Sequence, residues 1–311
     1  MPRKITPWLF IGPWLAGFLL LTVYPFACSF YWSFCEYDLL SSPRYVGTVH
    51  YQRLAEELIQ GEKFGKAIWN TAYYALLSVP LSIALGVSLA VMLSWKIPAR
   101  SLFRTLFFLP SVIPVAAAAI LWMWMLDPQQ GVVNYALSKI GLPTESFTWF
   151  KGIGQAAWPG DWFTATAGFG SKDALTLISL WGVGNFMVIY IAALENIPKS
   201  LYEAAELDGA GRFSRFRRIT LPQLSPVIFF NLVMGLIQSV QAFTNVYLVS
   251  EGRGAPAESC LMLSLHLFLA AFRDLDMGYA SAMAWILFVI LLAATAGLFY
   301  SAKHWVYYRA G

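Results

Sequence analysis

Six long apolar segments constrain this chain more than any other feature of its sequence. Each approaches or exceeds the roughly 20 residues that an α-helix needs to cross the hydrocarbon core of a membrane. No Asp, Glu, Lys, Arg or His falls in the central part of any of them. The sequence therefore predicts an all-α integral membrane protein with six transmembrane helices. The segments cover residues 8–34, 67–94, 105–126, 174–194, 222–248 and 279–302.

The composition agrees with this class. Of the 311 residues, 58% are hydrophobic and 12% are charged, whereas soluble domains average about 45–50% and about 25%. The first segment is longer than the apolar core of a secretory signal peptide, about 7–15 residues, and lacks a small-residue cleavage site. Cys28 is not preceded by lipoprotein-type residues. We therefore expect this segment to remain attached as a membrane helix.

Lysine and arginine predict the orientation of the chain. With the N-terminus inside, the inner segments hold twelve of these cations against four acids, and the outer segments hold nine against thirteen. Positive residues near the ends of spans favour the cytoplasmic side. Both termini are therefore expected in the cytoplasm, and the protein in the cytoplasmic membrane of a bacterium or archaeon.

Three segments lie outside in this orientation, namely 35–66, 127–173 and 249–278. The first contains a weakly amphipathic stretch over 51–60. The second cannot cross lipid as irregular backbone, because its polar groups would lack hydrogen-bond partners. It either lies at the membrane interface, where tryptophan is favoured, or forms a docking surface. Its tryptophans include Trp149, Trp158 and Trp162.

The most charged part of the chain is residues 198–222, here called the signature segment. Pro198 prevents a helix from continuing from upstream, and Ser200 followed by Glu203 matches a capping box. Asp208-Gly209 predicts a helix end, because glycine adopts the left-handed conformation without strain. Four arginines follow, and Pro222 then suits the first turn of a new helix. The segment predicts a basic amphipathic helix-turn-helix with the arginines Arg212, Arg215, Arg217 and Arg218.

A specific pattern runs through this segment. Glu203-Ala204-Ala205 and Gly209 are followed by Ile219-x-Leu221-Pro222. This resembles the EAA signature of the permease subunits of bacterial ABC importers. The stretch ELDGAGRFSRFRRITLP is most similar to the maltose and glycerol-phosphate branch of sugar permeases, MalF- and UgpA-like. Similarity to sugar permeases extends over roughly residues 67–302, through stretches that begin at Pro110, Trp181 and Gly278.

The resemblance implies a type I ABC importer permease of the MetI-like fold. It also implies a division into an N-terminal helix with an external segment, 1–66, and a permease core, 67–305. In that family the signature segment is a coupling helix seated in a cleft of the ATPase. The implied partners are a second EAA-loop permease, an ABC ATPase dimer, an extracytoplasmic substrate-binding protein and membrane lipid, with no nucleic acid. The alternative for the segment is a solvated amphipathic linker.

No catalytic or metal site is expected in the chain, and no enzyme activity. A G-x-x-x-x-G-K-[ST] loop is missing, so ATP and Mg²⁺ are expected on the partner ATPase and no cofactor here. The histidines and cysteines have no metal-ligand or nucleophile-base spacing, and we expect the histidines to be isolated near span ends. These residues are His50, His266, His304, Cys28, Cys35 and Cys260.

The fifth apolar segment carries a polar stripe. Asn231, Gln238, Gln241 and Asn245 fall within roughly 80° of one another if the helix is continuous, at about 100° per residue. Amides donate and accept hydrogen bonds, as sugar hydroxyls require. We expect these residues to line a cargo route, with Asn185 as a companion. The alternative is that they join helices by hydrogen bonds.

A stripe of small residues marks the second apolar segment, and close helix packing explains it better than cargo contact. Its members are Thr71, Ala75, Ser78, Ser82 and Gly86.

Taken with the resemblance, these features predict the permease of an ATP-driven importer that translocates a sugar or related polyol. The alternatives are an ion-coupled secondary transporter, which needs ionisable groups inside its spans, and a membrane scaffold without transport.

Overall fold

The computed structural model describes residues 6–95, 98–142, 147–150, 169–255 and 258–307. The chain divides into two compact units, Met1–Phe64 with His266–Ile290, and Gly65–Leu265 with Leu291–Gly311. The functional division at residue 66 stays a prediction. The compact units differ from it because residues 266–290 group with the N-terminal part.

The described residues are mostly helical. The helices are α1 (Thr6–Phe18), α2 (Tyr24–Trp32), α3 (Val49–Gln60), α4 (Lys63–Ser94), α5 (Arg100–Phe108), α6 (Val115–Met125), α7 (Val132–Lys139), α8 (Ser171–Trp181), α9 (Gly184–Glu195), α10 (Lys199–Leu207), α11 (Arg212–Arg215), α12 (Leu221–Val240), α13 (Thr244–Val249), α14 (Leu263–Phe268) and α15 (Met277–Trp305).

Short irregular helical stretches and two strand pairs complete the secondary structure of the described residues. A 3₁₀ turn extends α5 over Leu109–Val112, and π-helical stretches cover Leu19–Val23, Phe216–Thr220 and Leu269–Arg273. Strand β1 (Cys35–Glu36) pairs with β2 (Arg44–Tyr45) in antiparallel orientation, and β3 (Phe147–Trp149) pairs with β4 (Phe169–Gly170) in parallel.

The six predicted spans correspond to four continuous stretches and two bent helix pairs in the described part of the chain. The continuous stretches are Phe10–Trp32, Lys63–Ser94, Arg212–Val249 and Met277–Trp305. The pair Arg100–Val112 and Val115–Met125 bends by 100°, and the pair Ser171–Trp181 and Gly184–Glu195 bends by 46°.

The sharper bend lies at a proline. Ile113 has a ψ of 132°, which is extended backbone, and Pro114 is the N-cap of α6. A residue before proline is driven out of the helical region because the proline ring clashes with it. Pro114 lies inside the apolar run over 105–126, so the sequence contained a sign of this bend, although the run was predicted as one span.

A buried apolar cluster joins α4, α9 and α12 in the second unit. Gly86 of α4 faces α9 so closely that an added Cβ would lie 3.1 Å from Phe186 Cβ and 3.2 Å from Tyr190 Cε2. The packing role predicted for this end of the small-residue stripe is confirmed. The cluster comprises Val87, Ala90, Leu93, Met187, Tyr190, Ile191 and Leu224.

In the first unit, the histidines expected to be isolated meet around one tyrosine. His50 and His266 are both buried, with ring centroids 6.4 and 6.2 Å from that of Tyr279. His50 Nε2 lies 3.0 Å from the Cys35 carbonyl oxygen, and the Tyr279 hydroxyl donates to Glu57 Oε2 at 2.7 Å. The isolation prediction is therefore wrong for these two residues, because the fold joins segments far apart in sequence.

The amphipathic stretch predicted over 51–60 is confirmed as α3. In the second outer segment, Trp149 is buried and its Nε1 donates to Asn134 Oδ1 at 2.7 Å. This tryptophan is held by the protein and does not sit in an exposed belt. Trp158 and Trp162 lie outside the described residues.

Candidate functional site

The signature segment forms a short helix followed by a tight turn. Helix α10 ends at Leu207, Asp208 caps it, and Gly209 has a φ of +76°. The predicted helix end is confirmed. The predicted capping box is wrong, because Pro198 is the N-cap and makes no side-chain bond to the free N–H groups. Ser200 therefore falls inside the first turn, where it cannot cap.

The arginines after the turn begin a long helix. α11, the π-helical stretch Phe216–Thr220 and α12 follow one another without a break, within the stretch Arg212–Val249. The prediction that Pro222 lies in the first turn of a new helix is confirmed for α12, although α11 and the π-helical stretch precede α12 without a break. The basic residues therefore belong to the same helical stretch as α12, up to Val240.

Two side-chain contacts attach α10 to this long helix. The hydroxyls of Tyr202 and Thr220 are 2.9 Å apart, and Thr220 is buried. Arg215 Nη1 lies 3.3 Å from Glu206 Oε2, but Glu206 is mostly exposed. An exposed ion pair contributes little stability, so the hydroxyl pair is the firmer of the two contacts. Movement of α10 would therefore be passed to the base of the long helix.

The signature residues form an exposed face with large apolar side chains beside it. Glu203, Ala204 and Gly209 are exposed, and Ala205 is half-buried. Leu207 is 90% exposed and Phe213 is 75% exposed. Among the remaining signature residues, Leu221 is exposed, whereas the half-buried ones are Ile219 and Pro222. Large exposed apolar groups with a polar rim are typical of a contact surface.

A cavity of about 500 Å³ lies in the second unit, between α4, α6, α8, α9, α12 and α13. Four of the five predicted cargo-route amides lie in its wall, brought together from three helices. They are Asn185, Asn231, Gln238 and Asn245. The size is within the range of small-molecule sites, roughly 300–1,000 Å³.

The structure does not bring Gln241 into this wall. α12 ends at Val240, Gln241 caps it with an exposed side chain, and α13 begins at Thr244. The prediction that all four amides share one face of a continuous helix is therefore wrong beyond residue 240. Asn245 reaches the cavity because the chain turns before α13 and not because of helical spacing.

Sequence reasoning missed part of the wall. Ser78 and Ser82 of α4, assigned to helix packing, lie in the wall together with Tyr74. Their four-residue spacing places them on one helix face, so the packing interpretation was too narrow at these two positions. The hydroxyls extend the polar lining across the cavity from the amides of α12.

The wall contains polar atoms without hydrogen-bond partners. Within the described residues, Asn231 Nδ2 and Asn245 Oδ1 are buried and make no hydrogen bond. The buried Tyr190 hydroxyl is also unpaired, although Tyr190 is not one of the residues that line the cavity. Tyr190 and Asn231 lie close enough to influence each other, but not in hydrogen-bonding geometry. Buried polar groups are normally paired, and exceptions mark functional or hydrated positions.

Near the N-terminal end of α4, Asn70 holds the irregular segment over residues 258–261 in place. Its Nδ2 donates to the carbonyl oxygens of Glu258 at 2.8 Å and Leu261 at 3.1 Å, and its Oδ1 accepts from Lys172 Nζ at 3.1 Å. Cys260, in the clamped segment, is fully buried, and this burial raises the pKa of its thiol to about 11.

Lys172 is a buried cation that lies two residues before the predicted start of the fourth span. The fourth apolar run was placed at 174–194, whereas α8 begins at Ser171 and Lys172 is 1% exposed. The signal lay in Asp173, whose Oδ2 accepts from the Gly170 N–H at 3.1 Å and so caps the helix start. An acid three residues after a glycine is a helix-start signal that the sequence contains at Gly170 and Asp173.

Comparison with known proteins agrees with the fold and identifies the family. Residues 82–304 match the family described as "Binding-protein-dependent transport system inner membrane component". The probable ABC transporter permease protein YesP of Bacillus subtilis (strain 168) is 38% identical over 309 residues, covering 99% of this chain and 93% of that protein. The lactose transport system permease protein LacF of Rhizobium radiobacter is 32% identical over 304 residues, covering 96% and 94%.

A solved structure shares the fold. The crystal structure of a bacterial ABC transporter involved in the import of the acidic polysaccharide alginate matches with a TM-score of 0.75 at 24% identity, over 97% of both chains. The predicted family and fold class are confirmed. This chain belongs to the family of inner-membrane components of binding-protein-dependent transport systems.

Proposed function

We propose that this chain is the transmembrane permease subunit of an ATP-driven ABC importer, and that it translocates a sugar or related polyol. The exposure of Leu207 and Phe213 beside the signature residues carries the proposal. These apolar groups lie on a polar, basic segment, where their burial against another protein would be favourable. The partner surface that suits these exposed apolar side chains is a cleft on an ATPase subunit.

The attachment of α10 to the long helix supports coupling. The turn at Gly209 and the Tyr202–Thr220 contact join α10 to the stretch Arg212–Val249, whose far half forms one wall of the cavity. A displacement of α10 by ATP-driven closure of the ATPase would thus shift the helix that carries Asn231 and Gln238. Movement of this one long helix would then open the cavity alternately to the two sides of the membrane.

The partners follow from this role. One signature segment engages one ATPase subunit, so a second EAA-loop permease and an ATPase dimer complete the transporter, with ATP and Mg²⁺ on the ATPase. A substrate-binding protein delivers cargo on the opposite face. The lysine and arginine distribution supports a cytoplasmic location for the signature segment and both termini. The chain itself performs no reaction.

The sugar assignment draws on the cavity and on the relatives. Hydroxyl and amide side chains in the wall suit a cargo rich in hydroxyls. The LacF relative is named for lactose transport, and the structural neighbour imports the polysaccharide alginate. Both names are consistent with a saccharide cargo.

Substitution at an exposed signature residue tests the coupling role. Ala204 is exposed, so Ala204→Glu leaves the packing of the isolated chain unchanged but places bulk and charge in the docking surface. We expect normal membrane abundance, loss of ATPase copurification and loss of uptake. Ser101→Glu, which is also exposed but lies on α5 outside the signature segment, is the matched control. Wild-type copurification and uptake in Ala204→Glu would refute the docking role.

A further inference from the structure

The wall of the cavity is polar but uncharged. No Asp, Glu, Lys, Arg or His is found among the described residues that line it. The polar part of the lining consists of hydroxyls and amides, and aromatic rings from α9, α12 and the turn after it supply apolar faces. The amides and serines used below are Ser78, Ser82, Asn185, Asn231, Gln238 and Asn245.

The buried cation in this unit does not supply a counter-charge to the wall. Lys172 is absent from the lining; its Nζ lies 3.1 Å from Asn70 Oδ1 and 5.0 Å from the centroid of the Tyr73 ring. It also adjoins Asp173 in the first turn of α8. A charged group entering the cavity would therefore lose its hydration without gaining an opposite charge from the described wall, which is far costlier than burying a hydrogen-bonded neutral group.

The unpaired atoms in the wall distinguish hydroxyls from anions. Asn231 Nδ2 is a donor and Asn245 Oδ1 is an acceptor, and neither has a hydrogen-bond partner within the described residues. A hydroxyl donates and accepts, so hydroxyls can match both atoms. A carboxylate, sulfate or phosphate oxygen that is ionised only accepts and leaves Asn245 Oδ1 unmatched. In this orientation of the two amides, the wall therefore offers one unpaired donor and one unpaired acceptor.

We propose that this cavity selects uncharged, polyhydroxylated cargo and rejects saccharides that carry carboxylate, sulfate or phosphate groups. The inference rests on the proposed function and makes it narrower. It separates this chain from its structural neighbour, whose cargo is an acidic polysaccharide, although the two share a fold. Selection between neutral and charged cargo would then depend on the side chains that line the cavity and not on the fold, which the two proteins share.

A mixed-probe uptake experiment tests the selection. Cells that express the complete transporter are given an equimolar mixture of neutral disaccharides and their uronic-acid counterparts, and a strain lacking this chain measures background. We expect chain-dependent uptake of neutral probes only. Chain-dependent uptake of the uronic-acid probes at a comparable rate would overturn the selection. No chain-dependent uptake of any probe would count against the proposed sugar function itself and thus against both.

Charge placed in the wall gives a second, sign-based test. In the same cells, Gln238→Glu and Gln238→Lys are compared with Gln223→Glu and Gln223→Lys, because Gln223 lies on the same helix outside the cavity. For neutral cargo, both changes at 238 lower uptake about tenfold or more, since each introduces a charge that the cargo cannot pair. The changes at 223 stay within about twofold. A rise with lysine and a fall with glutamate at 238 would show anionic cargo and overturn the proposal.

Discussion

Replacing Asn70 with leucine should release the segment that carries Cys260. The Asn70 side chain makes three hydrogen bonds, to Glu258 O, Leu261 O and Lys172 Nζ, and all three are lost in Asn70→Leu. Each lost bond to a buried group costs on the order of 1 kcal/mol. The local opening of this segment therefore becomes easier by about 3 kcal/mol, which corresponds to roughly a hundredfold in the opening equilibrium.

Alkylation of Cys260 reports this opening directly. The thiol is fully buried and its pKa is raised to about 11 by that burial, so at pH 8 only about one thiol in a thousand is ionised, and the thiolate is the reactive form. With Cys28→Ser and Cys35→Ser, labelling by N-ethylmaleimide in membranes comes from this one site. We expect slow labelling in that background and labelling about a hundred times faster when Asn70→Leu is added.

A matched control separates this effect from general loosening. Asn196→Leu removes a single local bond from an exposed asparagine, to the Ala192 carbonyl oxygen at 3.0 Å. Its Cys260 labelling rate should remain within about twofold of the background. If Asn70→Leu also stays within about threefold, the segment is held by its other contacts, and the reasoning from Asn70 is refuted.

Three further substitutions test the cavity, the packing and the coupling. Gln238→Leu should lower uptake per assembled complex about tenfold, whereas Gln241→Leu should leave it nearly unchanged, because only the first residue lies in the wall; equal losses would argue against the cavity as the cargo route. Gly184→Ala should lower thermal stability by several degrees, since the added methyl meets the backbone of α5, while Gly297→Ala, with open space around it, should not; equal melting temperatures would contradict this packing. Tyr202→Phe should reduce ATP-driven uptake a few-fold at normal abundance by freeing α10 from the long helix, and unchanged uptake would show that the bond is dispensable.

The apolar runs and the signature segment could be predicted because both are local properties. Length and lack of charge identify a span without knowledge of its neighbours. The Asp208-Gly209 helix end follows from the conformation of glycine alone. These features sufficed for the family and fold class.

The interruptions of the helices could not be predicted in the same way. A run of apolar residues does not reveal that α12 ends at Val240, since no glycine or proline marks that position. The exclusion of Gln241 from the cavity follows from this break. The Asn70 clamp joins residues about 190 positions apart, and such pairs are set by tertiary packing that a single sequence does not encode locally.

The energy source of transport is the most direct test of the central claim. The complete transporter is reconstituted in proteoliposomes with its binding protein, and uptake of a neutral disaccharide probe that the binding protein accepts is measured with and without internal ATP, vanadate and an uncoupler. The proposed function predicts uptake that requires ATP, stops with vanadate and ignores the uncoupler. Uptake without ATP that collapses when the ion gradient is dissipated would contradict it and favour an ion-coupled transporter.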